Sequence, residues 1–316
     1  MPTPSTLTTE QKVLAALSHF SILIFGFGMV MPALFWSNQR SKTPYVSFQA
    51  LQALAFQISQ PVGVTFLALL GMIVFLILSL IGVLFYSETA TSKMLFVIGG
   101  LIALGLTFIG FMAYLIIGVI GGISCLLGTE FEYPWLGGWI RRRTKAARNI
   151  DPDQEGTLSS YQPSEEAESE LIQALCHFAS LSPMSGVFVP LAIWISHLSA
   201  GTKLWFQAIQ AAAFQSIQIL ASYGLVGAAY MLYAVMMIPI GFLMDSGMGL
   251  ASSSAGMLVI GFSLLLLFVM IFISMLVMAG FQTLALIAGL KILKHQDYRY
   301  PLLGKGLDKL HLTYTT

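Results

Sequence analysis

The sequence predicts an all-α integral membrane protein of two homologous copies, each a broken hydrophobic segment followed by a long two-helix transmembrane hairpin. Three observations carry that expectation. Of 316 residues, 57% are hydrophobic and 9% charged, against about 25% charged in an ordinary soluble domain. Four apolar stretches each exceed the roughly 20 helical residues that cross a hydrocarbon core. And "FQALQALAFQISQ", residues 48–60, returns as "FQAIQAAAFQSIQ", residues 206–218.

Extended without gaps at an offset of 158, the match from His19 to Gln60 against His177 to Gln218 holds 16 identities in 42 positions. A second anchor, Tyr133-Pro134 against Tyr300-Pro301, lies at an offset of 167, which places nine extra residues in the Gly/Ser-rich turn at 245–256. The chain therefore divides into a first membrane repeat at 1–140, a charged flexible linker at 141–169 and a second repeat at 170–316. The linker's prolines, serines and acidic residues cannot bury enough surface to fold alone.

The elements follow in order. The N-terminus, "MPTPSTLTTE", has no basic region of the kind that opens a signal peptide, so the first segment is expected to be retained. That segment, 13–36, is apolar but interrupted by Gly26 and Gly28, and its counterpart at 171–195 is interrupted by "ASLSPMSG". Each reads as a kinked span, or as two short helices that re-enter or lie at the interface. The spans 62–86 and 94–115 form one hairpin around a polar turn at 87–92, and 219–244 and 257–281 form the other around 245–254. In the first hairpin the apolar pattern continues back to Tyr45 and on to Leu127. Some 40 helical residues reach about 60 Å, twice a hydrocarbon core, so both helices should project from one face and be covered there.

Charge placement bears on sidedness. With three crossings per copy, the 15 Lys and Arg divide seven to eight; with the broken segments not crossing, they divide fourteen to one, with only Lys93 opposite. The positive-inside rule favours the second arrangement, a multi-pass cell-membrane protein with linker and C-terminus cytoplasmic.

The pattern resembles a family of small bacterial membrane proteins whose domain is of unknown function. That family is distantly related to the channel-type subunit of the chloroplast inner-envelope import machinery (Tic-twenty-like). The residues carrying the resemblance are Pro32, Trp36, Phe48, Gln52, Ala53, Phe56, Gln57 and Tyr133-Pro134, then Pro190, Trp194, Phe206, Gln210, Ala211, Phe214, Gln215 and Tyr300-Pro301. Gln49 and Gln207 stand where that family usually has His. The resemblance implies the architecture, and a role in assembly or protein translocation.

Four groups of residues are candidates for function. Gln49, Gln52, Gln57 and Gln60 fall on one helical stripe, repeated by Gln207, Gln210, Gln215 and Gln218. Such a stripe either lines a polar groove or hydrated vestibule, or holds helices together by amide hydrogen bonds. His19 and His177 are the ionisable groups inside the broken segments, a functional signal by default, though a neutral imidazole bonded to a glutamine is the simpler reading. Arg141, Arg142, Arg143, Lys145 and Arg148, after Trp135 and Trp139, fit an anionic headgroup surface. The acidic tract behind them reads as a solvated linker.

Cys125 and Cys176 lie among apolar residues and read as small buried hydrophobes. No metal-ligand spacing, phosphate loop or nucleophile–base pairing appears, so neither cofactor, metal, nucleic acid nor enzyme activity is expected. The centres of the spans carry no Asp, Glu, Lys or Arg, which counts against an ion-coupled transporter. The reading is a non-enzymatic scaffold, assembly or translocation-related component, whose partners are the bilayer and other membrane proteins; a channel or transporter for a small polar solute is the alternative.

Overall fold

A computed structural model describes residues 7–24, 26–86, 89–144, 164–197, 202–245, 254–301, 303–304 and 306–307. Lys145, Arg148 and most of the expected linker lie outside the described residues. Every regular element among them is helical: α1 (Thr9–Phe20), α2 (Val30–Gln39), α3 (Pro44–Tyr86), α4 (Ala90–Leu127), α5 (Leu136–Arg143), α6 (Glu165–Phe178), α7 (Phe188–Ser196), α8 (Lys203–Asp245) and α9 (Ser254–Leu293). Four of these, α3, α4, α8 and α9, are long and apolar enough to cross a membrane. The protein is an all-α, multi-pass membrane protein.

Each broken segment resolves into two short helices. Thr8 caps α1 through a capping box with Gln11, and Ser164 caps α6, each side chain accepting from a backbone N–H that the first turn leaves unpaired. Both helices end in a single 3-10 turn, Ser21–Leu23 and Ala179–Leu181. The chain then doubles back through Gly28 or Gly186, where a Cβ would run into the carbonyl oxygen of Ser21 or Ala179. At 12, 10, 14 and 9 residues, α1, α2, α6 and α7 are each too short to span.

The long helices divide into a covered part and a bare part. On α3, Tyr45 to Ile58 are buried except Phe56, and exposure begins at Ser59. On α4 the small residues Gly118, Gly121, Gly122 and Cys125 are buried while most of the helix before them is not. Phe20 occupies the space a side chain at Gly122 would fill, and Phe178 does the same at Gly289 of α9. The covering layer is α1 and α2 in the first half and α6 and α7 in the second, so the projecting ends are wrapped as their length required. Together they form a helical body from which two hairpins emerge.

One hydrophobic core joins the halves, with Trp36, Leu51, Leu54 and Ile140 meeting Leu171, Ile172, Val189 and Ile193. A polar contact reinforces it: Trp36 Nε1 donates to Glu168 Oε1 at 2.8 Å and Ser47 Oγ donates to the same oxygen at 2.5 Å. Glu168 is 3% exposed and Glu170 8%, which corrects, for these two residues, the expectation of a solvated acidic tract, while Glu165 and Glu166 are exposed. Both ends of the 141–169 stretch are helical, because α5 runs to Arg143 and α6 begins at Glu165.

The relative direction of the halves follows from two ring pairs. Phe27 meets Phe188 at 5.4 Å between centroids, and Trp36 meets His197 at 6.1 Å. The start of α2 is thus beside the start of α7 and the end beside the end, so the two run parallel. In each half the bare hairpin points opposite to this helix, and both hairpins leave the same face of the body.

Candidate functional site: a buried clamp in each half

The first two glutamines of each stripe face inward. Gln49 Nε2 and Gln52 Nε2 donate to the carbonyl of Phe131 at 3.1 and 3.2 Å, and Gln52 Oε1 accepts from the backbone N–H of Tyr133 at 3.2 Å. Because the Phe131 carbonyl accepts from Gln49 Nε2, the amide orientation is fixed and Oε1 must face His19. His19 Nε2–H therefore donates to Gln49 Oε1 at 3.0 Å, which leaves Nδ1 to accept from Tyr133 Oη–H at 2.8 Å. The tautomer is set by a backbone carbonyl two bonds away in the network.

The second half builds the same network. Gln207 and Gln210 donate to the carbonyl of Tyr298 at 3.2 and 3.1 Å, and Gln210 Oε1 accepts from Tyr300 N–H at 3.3 Å. His177 pairs with Gln207 Oε1 at 3.1 Å and Tyr300 Oη at 3.0 Å. Phe56 stacks on Tyr133 at 3.9 Å, and Phe214 stacks on Tyr300 at 3.8 Å. Both histidines are fully buried, and burial lowers each imidazole to about pH 4 against the bonded glutamine that raises it. They are neutral at physiological pH, and lie in α1 and α6 rather than on a bilayer-spanning helix.

The remaining glutamines serve the helix breaks. A helix that stops leaves carbonyls without intrahelical donors, and Gln57 Nε2 donates to Ser18 O at 3.2 Å and Ser21 Oγ at 3.0 Å. In the second half Gln215 reaches Cys176 O at 2.7 Å and Gln218 reaches Ser180 O at 3.4 Å. Gln60 alone of the eight is half-exposed. The stripe therefore does not line a groove; seven of its amides are buried and donate to backbone carbonyls, while Gln215 Oε1 and Gln218 Oε1 have no hydrogen-bond partner among the described residues.

The basic run, where it is described, makes protein contacts. Arg141 lies over the Phe48 ring at 5.0 Å, bonds Glu132 and lies 4.0 Å from Glu130. Phe48 is fourteen residues from Val62 along α3, about 21 Å by helical rise. Arg142 is exposed and Arg143 half-buried.

Before that run stands Trp135, 94% exposed, with φ 62° in the left-handed region. It stands two residues beyond Tyr133, at the start of α5. Sequence reasoning missed Glu168, Phe131 and the role of Tyr133 and Tyr300 as histidine partners. The register could have found Glu168, since Glu10 precedes it by the same 158. A charged cleft of about 430 Å³ opens where the halves meet, lined in part by Arg40, Glu165, His197 and Lys203. Among the described residues no three His, Cys, Asp or Glu side chains are grouped to hold one metal ion.

A sequence model of the magnetosome magnetite crystal formation protein family, MamF/MmsF, matches residues 10–140. The match covers about two fifths of the chain and makes this part similar to a bacterial membrane domain; it does not extend to the import-subunit relation or to a duplication. No curated protein and no solved structure matches the chain.

Proposed function

We propose that the protein is a non-enzymatic membrane scaffold or assembly component, anchored by two hairpins and presenting its helical body to other membrane-associated proteins. The observation that carries this reading is Trp135. A tryptophan exposed over 94% of its surface, with a positive φ, stands two residues beyond Tyr133, which Gln52 and His19 hold. Tryptophan is enriched among the residues that dominate binding energy at protein interfaces, and backbone strain collects at functional positions. The buried histidines and glutamines, by contrast, are spent on structure, which supports neither an active site nor a polar conduction path.

The tandem duplication belongs to the same proposal. The two clamps recur at offsets of 158 and 167, in the same atoms, and the family match ends at residue 140, before the second set begins. The first copy carries the exposed tryptophan, and the second supplies half of the body's core. The family's name suggests a setting, the membrane in which a magnetite crystal forms, with the scaffold arranging proteins on the body side.

The test uses a photoreactive amino acid at Trp135 in the native membrane. Crosslinks to defined proteins, lost when the label is moved to Val13 on α1, are the expected result. Trp135→Ala should keep the melting temperature of the purified protein while abolishing co-purification of those partners. Labelling of lipid alone at residue 135, together with solute flux in liposomes that Gln57→Leu and Gln215→Leu abolish, would replace the scaffold by a channel.

A further inference from the structure

The two helix breaks leave an apolar surface that nothing else in the body uses. Leu23, Ile24 and Phe27 in the first break are 58%, 50% and 53% exposed, and Met184 and Phe188 in the second are 68% and 40% exposed. The contact between Phe27 and Phe188 makes the two tips one continuous patch.

Its height relative to the hairpins is fixed by contacts. Gln57 holds Ser18 and Ser21, Ile22 packs on Gly118, and Gln218 holds Ser180. The tips therefore stand beside residues 57–60 of α3 and 218 of α8, where those helices pass from covered to bare. From Tyr86, beside the polar turn at the far end, 20 residues of helix reach back to Phe66 and span the roughly 30 Å hydrocarbon core. Six to nine residues of α3 separate that level from Phe66, about 9–14 Å by helical rise, which puts the tips at the headgroup layer.

We propose that the paired breaks form an interfacial wedge, a lipid-contact surface in which Leu23, Ile24, Phe27, Met184 and Phe188 sit in the headgroup layer of one leaflet. Lipid is the occupant because the patch is continuous with the bare faces of α3 and α8, exposed from Val62 and Leu220 onward. Both tips reach the same leaflet because α2 and α7 are parallel. The wedge sets the body's height on the membrane and makes Leu23, Ile24, Phe27 and the second break, Ser182 to Val187, interfacial, without adding spans.

Spin labels at Leu23→Cys, Phe27→Cys and Met184→Cys, one at a time, in full-length protein in phosphatidylethanolamine–phosphatidylglycerol vesicles, test this. Cys125 and Cys176 are buried, so wild type measures the background. Leu80→Cys, deep on a bare face, is the oxygen-accessible control, and Glu166→Cys the water-accessible one. The expected result is a depth between the two, with oxygen favoured over a water-soluble nickel chelate at all three tip positions. Chelate access equal to that at residue 166 would put the tips in water and overturn the proposal. Exclusion of both reagents would show a protein cover instead, and overturn it equally. Neither outcome depends on Trp135, so the wedge and the scaffold reading fail separately.

Discussion

The hydroxyl of Tyr133 is the sole donor to His19 Nδ1 among the described contacts, and Tyr300 is placed alike on His177. Tyr133→Phe leaves a buried acceptor unpaired, a loss of about 1–3 kcal/mol, and Tyr300→Phe should cost a similar amount because its surroundings are the same. Unequal losses, read by thermal melts in detergent, would show that the two clamps are not equivalent. Glu168 separates charge from hydrogen bonding. Burial raises its carboxyl above the usual range, against the donors Ser47 and Trp36. Glu168→Gln keeps an acceptor for both donors and removes the desolvated charge, so it should be tolerated at neutral pH; Glu168→Ala orphans both donors and should cost about 2–5 kcal/mol. Equal effects of the two would deny the hydrogen bonds their role.

The clamps also make stability depend on pH. Between pH 6.5 and about 4 the unfolded histidines bind protons that the folded ones do not, so acidification through that window favours unfolding, and above it the effect is absent. Glu168, protonated more readily when folded, acts in the opposite direction. In the Glu168→Gln background the melting temperature should therefore fall steadily from pH 6.5 towards 4. A flat profile would mean that the imidazoles are not the buried neutral groups described.

At the scale of elements, the glycines sort by what faces them. Gly122 and Gly289 are filled by Phe20 and Phe178, so a leucine at either should force α1 off α4, or α6 off α9, at about 1–3 kcal/mol each. Gly100 and Gly227 face open space, and alanine there should be neutral or slightly stabilising, which the same melts would show. Much of this level was legible. The apolar runs located all four long helices, and the glycine and Ser-Pro interruptions located both breaks. The direction of the glutamines was not, because a helical wheel gives a stripe but not what faces it. The loop residues Phe131 and Tyr133 that meet Gln49 and Gln52 are about 80 positions away in sequence. Glu168 was misread for a related reason: charge density marked a linker, while one carboxylate in it pairs with Trp36, over 130 residues upstream.

At the scale of the molecule, the parallel α2 and α7 are the feature from which the rest follows. An inverted duplication would run these helices antiparallel and send the hairpins to opposite faces. Parallel packing instead brings the tips, the basic turns and both hairpin bases to one side, in line with the fourteen-to-one division of Lys and Arg. The body then lies outside the hydrocarbon core, with four spans beneath it and the wedge at its base. Thickness follows as well: the bare stretch 59–86 is 28 residues, about 42 Å, enough to cross core and headgroups with modest tilt.

The most direct test of this account is a sidedness measurement on the intact chain in cells. Single cysteines or reporters are placed at residue 155 in the linker, at the C-terminus, at residue 88 in the first hairpin turn and at residue 249 in the second. The account predicts linker and C-terminus together on the cytoplasmic face, with residues 88 and 249 together on the opposite one. Linker and C-terminus on opposite faces, or the two turns on different faces, would contradict it.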